Sequence, residues 1–297
     1  MPLQDVNQMM TRALGGVYAV GYFESWNLES LQGVIDAAEK TESPVIIGFN
    51  GEFLSSHDRV VQERLSWHGA LGRAAADSAS VPCGFIFNEC PRADWVKQAC
   101  DCGFNLVMPV DSGEEDCEFK SEAAEIVRYA HARNVMVEAE VGNLPCNVSG
   151  MGEAGTMTDP ATAGDFVRTT GIDLLAVSVG NVHVKTDGET GLDLELLEAI
   201  RKETGLPFVL HGGSGIAADA LADAIAMGVA KVNYGTYLKQ RYLIALADAL
   251  SSGETNPHAL LGMGGPKDLL VKGRRAISDA VMERMEILGC CGKARES

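Results

Sequence analysis

"PFVLHGGSGIAADALADAIAMGVAKVNYG", residues 207–235, holds one complete strand–turn–helix–strand unit. "PFVLH" (207–211) is a short apolar run closed by a polar residue, "LADAIAMGVA" (221–230) carries helical periodicity, and "AKVNY" (230–234) is apolar again. The same unit recurs backwards along the chain. Short apolar or β-branched runs stand at "VYAVGYF" (17–23), "PVIIGF" (44–49), "VPCGFIF" (81–87), "NLVMPV" (105–110), "VMVEAEV" (135–141) and "LLAVSVG" (174–180). Helix-forming stretches such as "LESLQGVIDAAEK" and "EAAEIVRYAHAR" lie between them, and "TDPATAGDF" opens with Thr158-Asp159-Pro160, a cap signal. Eight strand–helix units in about 250 residues is the count of a (β/α)8 TIM barrel, an α/β fold. An open doubly wound sheet is the rival, because periodicity alone does not show closure.

No composition shift or Pro/Gly/Ser linker divides the 297 residues, so residues 1–297 read as one domain, and 46% hydrophobic residues are ample for its core. The net charge of −17, with 24 basic residues and no Lys/Arg cluster among aromatics, excludes nucleic acid and anionic membranes as partners. The start, "MPLQDVNQMM", has no basic and apolar leader pattern, and no run approaches the roughly 18 apolar residues of a membrane span. A cytoplasmic protein is expected. The eight cysteines have no CxxC spacing and read as reduced thiols.

In a barrel the strand C-termini converge on one face, so polar residues ending different strands meet in space. Those residues are Glu24 and Asn27, Asn88 and Glu89, Glu138 and Glu140, Asn181 and His183, His211, and Asn233. Two histidines and a carboxylate from three strands make a ligand set for a divalent ion with positions left for substrate. "LHGGSGI" (210–216) adds an anion site: Gly212, Gly213 and Gly215 allow close backbone approach, Ser214 offers a hydroxyl, and the helix beginning near Ala217 aims its amides at the turn. Strand 8, "KVNYGTY", follows where barrels commonly bind phosphate. The Gly-rich stretch "GNLPCNVSGMGEAGTMTDP" after strand 5 is long enough to be an active-site loop, and Glu153 within it is the candidate general acid/base.

These residues also carry a resemblance. "YAVGYFESWNLESLQGVIDAAEKTESPVII", "VEAEVG", "TDP", "GNVH", "LHGGSGI", "GVAKVNYGT" and "GCCGKA" resemble, in order, segments of the class II, metal-dependent ketose-bisphosphate aldolases, from residue 1 to about 294. The resemblance implies a (β/α)8 barrel, a dimer or tetramer, and a zinc ion that polarises the carbonyl of dihydroxyacetone phosphate while an enediolate forms. It places His183 and His211 at metal-ligand positions and Glu140 at a carboxylate near the metal. It places Gly180 of "GNVH", Gly212, Gly213, Ser214, Gly235 and Thr236 with the phosphate, and Asn233 and Asn27 with the substrate.

The chain departs from the pattern at the end of strand 3. Where the family has His-x-Asp-His, it has Ile86-Phe87-Asn88-Glu89. Glu89 then replaces an imidazole ligand, and Asn88 stands at the proton-transfer position, although an amide does not titrate. Beyond His183 the family's Gly is Val184 and its Lys is Asp187, with Lys185 two places earlier. The expectation is therefore a metal-dependent lyase acting on a phosphorylated ketose or keto acid other than fructose 1,6-bisphosphate. It would hold one divalent ion, zinc first, with manganese or magnesium favoured by Glu89. A phosphosugar isomerase or epimerase, and a phosphosugar-binding protein with a vestigial site, remain as alternatives. Schiff-base chemistry at Lys231 leaves both histidines idle.

Overall fold

Each of the eight apolar runs becomes a parallel strand: β1 (Val20–Glu24), β2 (Val45–Asn50), β3 (Cys83–Cys90), β4 (Leu106–Pro109), β5 (Met136–Val141), β6 (Leu174–Val177), β7 (Phe208–Leu210) and β8 (Val229–Tyr234). The computed structural model describes residues 3–111, 116–142, 156–181 and 191–296. The strands pair in sequence order and β8 pairs back onto β1, Tyr22 opposite Asn233, so the sheet is a closed barrel and not the open alternative. The strands read as nearly continuous apolar runs because side chains and helices cover both faces.

Among the described residues, twelve helices surround the strands: α1 (Val6–Gly16), α2 (Leu28–Thr41), α3 (Gly51–Ser55), α4 (Leu65–Ser78), α5 (Ala93–Asp101), α6 (Asp116–His131), α7 (Pro160–Thr170), α8 (Leu194–Thr204), α9 (Ala218–Ala226), α10 (Thr236–Leu250), α11 (Pro257–Leu260) and α12 (Leu269–Ile287). Asp5 caps α1, and the preceding Gln4 N–H donates to the Cys83 carbonyl at 2.9 Å, which lays α1 across the N-terminal end of the barrel. The cap read at "TDP" is present: Asp159 accepts from the Thr162 N–H, with Pro160 as the first residue of α7. The last helix, α12, packs along α2 and reaches β1, while α10 packs on α12.

Several boundaries differ from the sequence reading. α9 ends at Ala226, and Gly228, at φ 114°, turns the chain into β8 at Val229, so the helical pattern of "LADAIAMGVA" overruns the helix. β3 does not stop at Phe87 but continues through Asn88, paired opposite Asn50, to Cys90. Its register with β4 shifts between Phe87 and Cys90, and Glu89 inside that bulge takes a left-handed φ of 53°. A bulge of this kind re-aims a side chain. The six described cysteines are free, and no described helix is long and apolar enough to cross a membrane.

Candidate active site

Period two along a strand puts Glu138 and Glu140 on one face of β5, and Lys231 and Asn233 on one face of β8. Closure brings these faces to His211, which follows β7 and is 1% exposed. Its Nδ1 lies 2.9 Å from Oε1 of Glu89, and its Nε2 lies 3.1 Å from Oε1 of Glu138. The second oxygen of Glu138 is 2.8 Å from Nζ of Lys231, which also donates to Oδ1 of Asn233 at 2.6 Å. Glu89 in turn accepts from Nδ2 of Asn50 at 2.7 Å, while Oδ1 of Asn50 caps α3. One polar chain therefore ties β2, β3, β7, β5 and β8 together at the mouth.

The charges in this chain hold each other. Burial disfavours a charged His211, yet its hydrogen bonds to Glu138 and Glu89 outweigh burial and raise the imidazolium to about 10. Burial also pushes the Glu138 carboxyl up, but Lys231 and His211 prevail and keep it below the usual carboxylate range. Lys231 is lowered by burial, against the opposing pull of Glu138.

Glu89 and His211 are the described donors that could share a divalent ion. Two ligands about 2.1 Å from one cation and at right angles lie about 3 Å apart, and Glu89 Oε1 and His211 Nδ1 have that spacing. Glu138 beside Nε2 is the carboxylate that commonly orients a ligating imidazole. Among the described residues no group of three or more His, Cys, Asp or Glu is arranged to hold a metal. His183 lies outside the described residues, as do Lys185 and Glu153. Glu140 sits half-buried on β5, on the same face as Glu138.

Several buried polar atoms at the mouth have no hydrogen-bond partner among the described residues: Oδ1 of Asn88, Nδ2 of Asn233 and the hydroxyl of Tyr22. Buried polar atoms are ordinarily satisfied, so these mark where a polar ligand or water belongs. Asn88 is 3% exposed, next to Glu89. Gly212 has φ 68°, open to glycine at little cost, and Gly213–Gly215 form a short 3-10 turn before α9. Gly235 precedes Thr236, the first residue of α10, and Gly180 precedes the Asn181 side chain that bonds the His211 carbonyl at 3.1 Å.

Asn27, expected at the substrate, caps α2: its Oδ1 accepts from the Ser30 N–H at 2.8 Å and its Nδ2 donates to Tyr242 at 3.0 Å. The sequence marks Glu138 as a strand end and Glu140 as a carboxylate near the metal, but gives no direct sign that Asn50 and Tyr22 stand at the mouth with them. The period-two pattern is an indirect signal for Tyr22, two residues before Glu24 on β1.

The chain matches the family "Fructose-bisphosphate aldolase class-II" over residues 4–293. It is 33% identical to the fructose-bisphosphate aldolase of Geobacillus stearothermophilus, over the whole length of both chains. The YdjI aldolase of Escherichia coli K12 superposes with a TM-score of 0.82 at 30% identity, covering 98% of this chain and 99% of that one. The fructose-bisphosphate aldolase of Campylobacter jejuni, 21% identical, shares the fold with a TM-score of 0.76 over 97% and 95% of the two chains. The closed barrel and the full-length match together mean that this chain belongs to the class II fructose-bisphosphate aldolase family and is a lyase of that type.

Proposed function

We propose that the protein is a metal-dependent aldolase acting on a phosphorylated ketose or keto acid other than fructose 1,6-bisphosphate. The observation that carries this reading is the tip of β3. There the bulge turns Glu89 onto His211 and leaves the amide of Asn88 buried, its oxygen without a partner among the described residues. Glu89 and His211, with His183, would hold one divalent ion, and Glu140 is the reserve ligand. That ion supplies Lewis-acid polarisation of the substrate carbonyl.

The remaining tasks fall to the chain. Glu138 holds a proton on Nε2 of His211, which keeps Nδ1 turned toward Glu89. The Gly212–Gly215 turn, Gly180 and the Gly235-Thr236 backbone receive the phosphate, Ser214 adds a hydroxyl, and Lys185 adds charge. Asn233 holds Lys231 through Oδ1 and offers Nδ2 to a substrate hydroxyl. Asn88 accepts or donates a hydrogen bond to the next hydroxyl but takes no proton, so Glu153 is the proposed acid/base. A carboxylate in place of an imidazole hardens the ligand set, so manganese or magnesium competes better with zinc. The assembly is a cytoplasmic homodimer or homotetramer.

The test is cleavage of fructose 1,6-bisphosphate by metal-loaded wild-type protein. General acid–base catalysis contributes about 10²–10⁴-fold, so wild type should fall short of ordinary family members by that order. Asn88→Asp should recover part of the deficit. Efficient cleavage by the unmodified protein would show that another residue already moves the proton, and the claim of a shifted substrate would fall.

A further inference from the structure

An ion pair stands at the end of β1, beside the network around His211. Glu24 is buried, 7% exposed, and places Oε1 2.6 Å from Nζ of Lys239 in the first turn of α10. Its other oxygen lies against Gly235: a Cβ built on that glycine would come within 2.3 Å of Oε2. One carboxylate thus touches both an ammonium and the backbone where the phosphate is read to dock. The ammonium also faces the rings of Phe53 at 4.2 Å and Trp26 at 6.0 Å, which hold a cation without neutralising it. Among the described residues, Lys231 is wholly buried on Glu138, whereas the Lys239 side chain is one-third exposed to whatever enters.

The charges dictate a competition. A phosphate at Gly235-Thr236 meets the α10 amides and a lysine one turn in, which favour it, and a carboxylate pressed on the same glycine, which opposes it. We propose that Lys239 is a phosphate-binding residue shared between Glu24 and the substrate, and that Glu24 sets how tightly this end of the substrate is held. The proposal rests on the phosphate placement given above. Burial raises the Glu24 carboxyl, against the opposing effect of Lys239. Glu89 and Tyr22 face the same space.

Calorimetric titration of inorganic phosphate into the full chain decides it. Lys239→Gln should weaken binding roughly tenfold or more, the loss of a hydrogen bond to a charged group. Glu24→Gln should tighten it about threefold or more by removing a repulsive charge beside the docking backbone. The double variant should return near wild type, and Lys239→Arg, which keeps the charge and tests that α10 still folds, should stay close to it. Weaker binding in Glu24→Gln would show the pair to be a structural clamp and overturn the proposal. If Ser214→Ala weakens binding while all changes at 24 and 239 leave it unaltered, the proposal fails and the phosphate site stands. If Ser214→Ala is also without effect, the phosphate docks elsewhere and both readings fall.

Discussion

At the tip of β3, two adjacent side chains take different tasks because their chemistry differs. Glu89 can neutralise a cation and is turned by a left-handed φ onto His211, whereas Asn88 can only hydrogen-bond. Behind them Glu138 and Lys231, both 0% exposed, form an ion pair that makes sense only as a unit. Removing one partner of a buried pair leaves an uncompensated charge and typically costs about 3–5 kcal/mol. Glu138→Gln should therefore destabilise the metal-free protein by that order in urea denaturation. A loss under about 1 kcal/mol would mean that water reaches Lys231 and the network is not dry. Asn88→Asp adds a second carboxylate beside Glu89, so its gain in cleavage should appear only with metal loaded, since like charges at that spacing repel.

At the scale of elements, the strands were legible because alternation of apolar runs with helical periodicity survives any local irregularity, as "PVIIGF" and β2 show. The extent of β3 was not, because a polar Asn-Glu pair looks like a loop until Asn88 is seen opposite Asn50. The pairing of Glu138 with His211 was equally hidden: period two gives the face of β5, but only closure says which strand lies across the barrel. Asn27 shows the converse, a strand-end residue whose amide is spent on an element. With Ser30 it forms a capping box for α2, and such caps are worth roughly 0.5–2 kcal/mol. Asn27→Ala should lower stability by about that amount and leave affinity for the inhibitor phosphoglycolohydroxamate unchanged. Weaker binding at unchanged stability would return Asn27 to the substrate. Ser214 sits in the 3-10 turn ahead of α9, and Ser214→Ala should weaken the same inhibitor about tenfold.

On the whole molecule, α10 leaves apolar side chains in solvent: Leu243 is 64% and Ile244 58% exposed, and Met263 beyond it is 70% exposed. Scattered apolar residues need no explanation, but adjacent ones on one helix suit a face covered by a second copy. If the proposed homo-oligomer uses this face, Leu243→Asp with Ile244→Asp should lower the sedimentation coefficient to that of a monomer, and an unchanged coefficient would place any subunit contact elsewhere. The barrel itself predicts none of this, since a closed sheet has no edge to offer a partner. What it does predict is convergence: residues far apart in sequence, Glu89 and His211, sharing one cation. Elemental analysis of purified protein after reconstitution with zinc or manganese tests that directly. The account predicts one divalent ion per chain, lost when Glu89 or His211 is replaced by alanine. No metal in the reconstituted wild type, or full retention after His183→Ala together with His211→Ala, would contradict it.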